Sequence, residues 1–461
     1  MILAAAFSAL AGNVPAEPAP QGMVLCDAVR AQGNDAESDP LLRGTEGWIF
    51  RTADLDPPYD IDAGSLAALG RFVADWQSRG TAVAFVLLAP RGYFGAAHVD
   101  RTEPGAATFD REALGQHYAE AIRVLGTTGA LVPNLIAAAD ADGVGEQYYF
   151  ERDFHWRPEA AKSAMVALAK AAKESGLSFA PSAWKSTLEK ERAHAGSLAR
   201  RVEQECGVPA YPAEHFGRFV STRVTVAPNG QPVAPAIGKP GAVRSAEGTR
   251  PPQVVLAGSS HTNKGGEDLM NTTGWMREAA ATDVLNVGVD GGGYSTGLLR
   301  WMDTELSRAQ PPKLLSVEMS SRVPTNVAAF MRMAIPTMYG DCTSPSATGR
   351  VTLSGQAAPL LYVPAGTRSG GTYVVLDVSD PALVQFAVSF TLTTGAEDFY
   401  HVQRSTLVSN QGRFYVEAPL VATGLAGIRV DGGPDSRATI TSRLCALPAD
   451  EAGVRSLVGL K

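Results

Sequence analysis

Asp153 and His155, two residues apart in DFHW at 153–156, have the types and spacing to do acid–base chemistry. A carboxylate can hold an imidazole in one tautomer, and an imidazole so held takes a proton from a hydroxyl nucleophile. A suitable hydroxyl occurs in GSS at 258–260, directly after the apolar run QVVLA. Gly258 allows a sharp turn there, and Ser260 would then point into the crevice where open α/β sheets bind their ligands. On this stretch alone, Ser259, Ser260 or Thr262 as a helix cap is the better reading. The third piece is NVGVDGGGY at 286–294. Backbone N–H groups at Gly291 and Gly292, with that of Ser260, can face the oxygen of an acyl-transfer intermediate. Three glycines alone would also describe a plain loop. Taken jointly, the pieces supply a nucleophile, a base, an orienting carboxylate and an oxyanion site.

Other histidines compete for the base role. His261 adjoins the nucleophile, but neighbouring side chains generally point apart, so it is expected as a pocket residue at best. His401 is a second rival. His98, His117, His194 and His215 have no carboxylate or thiolate at ligand spacing, and no HExxH occurs. Neither a metal nor a cofactor is expected.

Elements must bring these distant residues together. A chain of 461 residues with 45% hydrophobic and 19% charged residues is globular and long enough for two or three domains. The formal charge of −7 and the absence of any basic stripe argue against nucleic acid as a partner. Apolar residues at helical spacing predict helices over 65–79, 109–125 and 158–175. Strands are predicted at AVAFVLL and near Leu131. After a Gly/Pro-rich excursion over 225–252, a strand at 253–257, a helix at 267–281, a strand at 283–289, a helix at 295–309 and a strand at 313–319 follow. That alternation implies an α/β domain with a mostly parallel sheet. The nucleophile and the glycine run then end adjacent strands of one βαβ unit. Beyond residue 341, short Val-, Thr- and aromatic-rich runs between Gly and Pro turns predict an all-β sandwich. The expected division is a leader over 1–25, a catalytic domain over 26–341 and a β-sandwich module over 342–461.

The start, MILAAAFSALAG, is short, apolar and closed by Ala9-Leu10-Ala11, as in an export signal, although no Lys or Arg precedes Arg30. Four cysteines, Cys26, Cys206, Cys342 and Cys445, form no CxxC pair and allow three disulfide connectivities. Pairing Cys26 with Cys206 and Cys342 with Cys445 keeps each bridge within a domain.

With GTEGWIF at 44–50, DFHW, GSS and NVGVDG at 286–291, the chain resembles the SGNH-hydrolase-like proteins of the AlgX/AlgJ type, which O-acetylate alginate in the bacterial periplasm. Asp-x-His precedes the serine, the permuted order of that family. The β-rich end bounded by cysteines is similar to the carbohydrate-binding module of the AlgX branch. The resemblance implies a three-layer α/β/α domain, a periplasmic location and a polysaccharide O-acetyltransferase. Its polymer would be alginate or a similar acidic exopolysaccharide. Its acetyl donor would be supplied by a membrane partner, among other exopolysaccharide-assembly proteins.

Two departures stand out. Ser259 replaces the usual Thr or Asp before the nucleophile, and the block bearing an Asn in ordinary SGNH enzymes has no obvious counterpart. A uronate-binding surface needs cations and aromatic faces. All six tryptophans lie at or before Trp301, and the only lysine after Cys342 is Lys461. Candidate contacts in the module are therefore Tyr400, His401, Arg404, Arg413 and Tyr415, and Arg322, in EMSSR at a strand end of the catalytic domain, is a further candidate for a uronate carboxylate. The same triad would also serve a glycan acetylesterase, and a non-catalytic polymer-binding scaffold is the reading from a different class.

Overall fold

A computed structural model describes residues 25–31, 39–226, 232–233, 251–320, 327–433 and 436–448. The leader up to residue 24, the centre of the Gly/Pro-rich stretch and Arg322 lie outside the described residues.

Four parallel strands form the central sheet: β1 (Ala82–Leu87), β2 (Val254–Ala257), β3 (Val284–Asn286) and β4 (Leu314–Met319). Their spatial order is β1-β4-β2-β3. Leu131 extends the β1 edge through a parallel bridge to Ala84. β1, β2 and β4 are almost continuously buried, as expected for strands covered by helices on both faces.

Helix α1 (Ala63–Ser78) packs on the helix Val327–Tyr339, and the helix Gly293–Met302 joins this layer. On the other side, helix α2 (Pro158–Glu174) packs on Leu135–Asp142 and on α3 (Thr272–Ala280). Asp62 caps α1 through its carboxylate, and Pro158 opens α2 at a position where a missing N–H costs nothing.

The helix expected over 267–281 starts at Thr272. Asp268 and Asn271 adopt left-handed backbone at φ 50° and 56°, and the Asp268 carboxylate caps the Thr272 and Thr273 N–H groups. The helix expected over 295–309 is two helices, Gly293–Met302 and Glu305–Ala309, because Thr304 caps a new start. A long antiparallel ribbon, Trp184–His194 with Glu214–Arg223, and the helix Ser197–Cys206 between its strands have no counterpart in the sequence reading.

The C-terminal region is a sandwich of two four-stranded antiparallel sheets covering Ala347–Ala446. Its core includes Val374, Leu376, Val388, Phe390, Phe414 and Ile428. Both disulfides, Cys26–Cys206 and Cys342–Cys445, are present. The sandwich is bolted to the α/β region. Arg71 meets Glu417 at 2.6 Å, Arg332 donates to the Glu417 carbonyl, and the Tyr400 hydroxyl donates to Ala329 O at 2.7 Å. Among the described residues no helix is long and apolar enough to cross a membrane.

Candidate active site

The nucleophile turn leaves β2 at Gly258. A side chain at 258 would strike Thr262 Oγ1 at 2.3 Å and Glu318 Oε2 at 2.5 Å, so glycine is required for close approach rather than for an unusual turn angle. Glu318, at the end of β4, is buried and organises the turn. It accepts from Ser259 N at 2.8 Å, Ser259 Oγ at 2.9 Å and Thr262 Oγ1 at 2.9 Å. Burial raises the Glu318 pKa, and these donors oppose the rise. Ser259 is therefore a scaffold residue, and Ser260 is left to face the base.

His155 Nε2 lies 2.7 Å from Ser260 Oγ, and His155 Nδ1 lies 2.5 Å from Asp153 Oδ1. The loop carrying Asp153 and His155 is irregular yet fixed. The buried Arg91 guanidinium donates to Ile49 O, Phe150 O and Glu151 O. Glu214 accepts the N–H groups of Glu151 and Arg152, both at 2.9 Å. The GTEGWIF stretch thus supports the loop from behind, with Ile49 N donating to Glu151 O. Trp156 of DFHW joins this loop to the Ser260 turn by donating to His261 O at 2.8 Å.

Asp153 is fully buried and collects five hydrogen bonds. Beyond two from His155, its Oδ2 lies 2.7 Å from His194 Nε2 and accepts Ser197 N at 3.0 Å, while Oδ1 accepts Ser197 Oγ at 2.8 Å. Burial pushes the carboxyl upward, but the charge and hydrogen bonds of His155, the His194 bond and the Lys264 cation hold its pKa well below the usual range. Ser197 opens the helix Ser197–Cys206, whose far end, Cys206, is bonded to Cys26.

His194 is the clearest residue that sequence spacing missed. Sequence spacing offers His194 no carboxylate, whereas the ribbon carries it onto one 41 positions away. Burial, reinforced by Lys264, lowers the pKa of His155 against the pull of Asp153, favouring the neutral ring that a base requires.

His261 is a neighbour of this base. Its ring centroid is 4.8 Å from that of His155, and its Nε2 sits 3.2 Å from Phe154 O. Burial, with His155 beside it, holds its pKa well below the ordinary imidazole value. His401 is exposed on the sandwich, and the imidazole in contact with Ser260 is that of His155.

The glycine loop is stitched to the nucleophile turn. Asn263 Nδ2 donates to Gly288 O, and Gly265 N donates to Asp290 Oδ2. Gly292 does not fit the oxyanion role expected of it, because its N–H closes a turn onto Val289 O at 2.9 Å. Ser260 N has no hydrogen-bond partner among the described residues. Gly291 stands at φ +72°, its open face toward Leu407 of the sandwich.

Of the expected sugar contacts, Tyr400 is unavailable, since its ring is buried and its hydroxyl is bound to Ala329 O. Arg404 and Arg413 line one cavity of about 620 Å³ between the helix Gly293–Met302 and the sandwich. Arg413 is paired with Asp377 at 2.7 Å, and Arg404 lies 4.0 Å from Asp303.

A parallel sheet with Ser260 just past the end of β2, met there by His155 and Asp153 from the loop before α2, and followed by a sandwich, is the arrangement of an SGNH-hydrolase-like protein with an appended β module. A family model described as an SGNH hydrolase-like domain, acetyltransferase AlgX, matches residues 41–321, and the chain belongs to that family. The alginate biosynthesis protein AlgX of Pseudomonas aeruginosa is 24% identical over 430 residues, spanning 89% of this chain and 86% of that protein. AlgX of Azotobacter vinelandii is 24% identical over 442 residues, with the same two coverages of 89% and 86%. The probable alginate O-acetylase AlgJ of P. aeruginosa is 24% identical over 292 residues, covering 61% of this chain and 70% of that protein. The solved structure of P. aeruginosa AlgX shares the fold, at a TM-score of 0.74 and 21% identity, over 92% of this chain and all of that one.

Proposed function

We propose that the chain is a periplasmic polysaccharide O-acetyltransferase that acts through an acetyl-serine. The observation that carries this reading is the unbroken hydrogen-bonded line from Ser260 Oγ through His155 to Asp153. Ser260 attacks the donor's acetyl carbonyl while its proton passes to His155 Nε2. Asp153 holds Nδ1–H and offsets the imidazolium charge. The Ser260 N–H, with that of Gly291 as second donor, receives the oxyanion. Collapse expels the donor's leaving group, which takes the proton from His155, and acetyl-serine remains. A sugar hydroxyl then attacks the acetyl carbon and gives its proton to His155, which returns it to Ser260 Oγ as the ester leaves.

The acceptor we propose is an acidic polysaccharide of the alginate type, as the names of the relatives suggest. In this reading residues 26–341 form the catalytic unit and 342–461 a polymer-binding module that uses Arg404 and Arg413. The acetyl donor is supplied by a membrane partner.

Mixing the protein with an acetyl donor and unacetylated oligouronate tests the proposal. Ester gained on the oligomer, and lost in Ser260→Ala, supports transfer. Release of free acetate alone points to the esterase reading. Activity that survives Ser260→Ala refutes both.

A further inference from the structure

Lys264 sits against the base in an unusual way. Its Nζ lies 3.2 Å from His155 Nδ1 and 3.3 Å from Nε2. Both ring nitrogens already have partners, Asp153 on one side and Ser260 on the other. A neutral imidazole with its proton on Nδ1 has a single lone pair, on Nε2, and Ser260 uses it. The ammonium therefore touches the ring without an acceptor for its own N–H groups. Among the described residues no carboxylate stands within ion-pairing distance of it. Asp290, on the glycine loop nearby, is engaged by Gly265 N. A half-buried cation with no protein acceptor is free to take a ligand's carboxylate.

We propose that Lys264 selects an acidic acceptor, its ammonium receiving a carboxylate from the sugar that is being acetylated or from the sugar next to it. This rests on the acyl-transfer reading above. The attacking hydroxyl must reach His155 Nε2, and Lys264 is 3.3 Å from that atom, so a carboxylate on the same short stretch of polymer comes within reach. The pairing has a second consequence. With Asp153, Asp290 and His261 as the other titratable groups around the ring, the unpaired ammonium is the cation that presses on His155. An arriving carboxylate neutralises that pressure and makes the base stronger when a uronate enters. Water brings no such charge, so the device favours transfer over hydrolysis.

The test compares the full-length wild type with Lys264→Met and Lys264→Arg. The ligands are an oligouronate and the same oligomer with its carboxylates reduced to alcohols. Calorimetry should show wild-type preference for the charged oligomer, and Lys264→Met should reduce that preference about tenfold while Lys264→Arg keeps most of it. In acetyl transfer the ratio of kcat/KM values for the two oligomers should fall by a similar factor, whatever happens to the absolute rates. The acidic limb of small-ester cleavage should move to higher pH in Lys264→Met, because a cation beside His155 has gone. Equal losses toward both oligomers, an unmoved acidic limb, or no binding preference in the wild type would each overturn the assignment. Charge preference in binding with no acetyl transferred to any acceptor would leave Lys264 as the cation for an acidic sugar and remove the transferase reading instead.

Discussion

Asp153 and Glu417 are both buried carboxylates, at 0% and 1% exposure, yet their surroundings treat them in opposite ways. Asp153, in the candidate active site, receives five hydrogen bonds and is held as an anion well below the usual carboxyl range. Glu417, between the α/β region and the sandwich, faces the Arg71 guanidinium at 2.6 Å, and burial pushes its pKa up to about 7. Burial is common to the two and does not decide the outcome. The number of donors aimed at each carboxylate does. A charge fixed by so many groups marks a place where the anion itself is needed, whereas a carboxylate poised near neutrality serves a seam between two bodies.

The largest effect expected from this contrast is on activity. Asp153→Asn keeps the shape but offers the wrong partner to His155 Nδ1, and should lower kcat on an acetyl ester by about 10³–10⁴-fold while the protein stays folded. Retention of a tenth of the activity would show that the carboxylate is only structural. At the seam the effect falls on stability instead. Arg71→Met should cost about 3 kcal/mol of unfolding free energy at pH 8, measured by denaturant titration, because it strands the Glu417 charge. At pH 5 the loss should shrink, since the carboxyl is then protonated. An equal loss at both pH values would contradict the account of Glu417.

A smaller effect belongs to His194, which positions Asp153 without touching substrate. His194→Phe should reduce kcat by about 10-fold to 100-fold through a looser carboxylate. His194→Gln, which can still donate to Asp153, should recover part of it. A purely structural role would show no such rescue, and KM for the small ester should move little in either variant.

Much of this arrangement was legible in the sequence. Asp-x-His, the serine after QVVLA and the β-α-β alternation are local patterns, so types and order sufficed to bring Asp153, His155 and Ser260 into one hypothesis. What escaped was non-local. His194 reaches Asp153 only because a ribbon folds across the loop, and a ribbon exposed on both sides, as WKSTLEKERAH is, shows no clean apolar alternation. Glu318 resembles any buried strand residue until Gly258 and Thr262 close around it. Gly292 was misjudged for the converse reason: a glycine run indicates that backbone is exposed but not which N–H the turn itself consumes. Tyr400 was likewise misread, because an aromatic with a polar tip suits a sugar surface and a domain seam equally well.

The mildest prediction is also the one that separates the two carboxylates by pH. Glu417 has a folded pKa raised from 4.5 to about 7, so the stability it contributes is fully present below about 4.5 and is lost as pH rises through about 7. The melting temperature should therefore drift downward between pH 5 and pH 8, and Glu417→Gln should flatten that drift. Asp153 has a depressed pKa, so its contribution is present above 3.8 and is lost only as pH falls through a value well below that. Burial, with Lys264 beside it, lowers the pKa of His155 below the ordinary imidazole value. The acidic limb of small-ester cleavage should accordingly lie below the ordinary imidazole value of 6.5. Over the same window stability falls while the base stays unprotonated, because His155 is held neutral by burial and Lys264, whereas Glu417 has Arg71 as the ion-pair partner to set against its burial. An acidic limb centred at or above the ordinary imidazole value of 6.5 would show that Asp153, rather than burial, dominates the base.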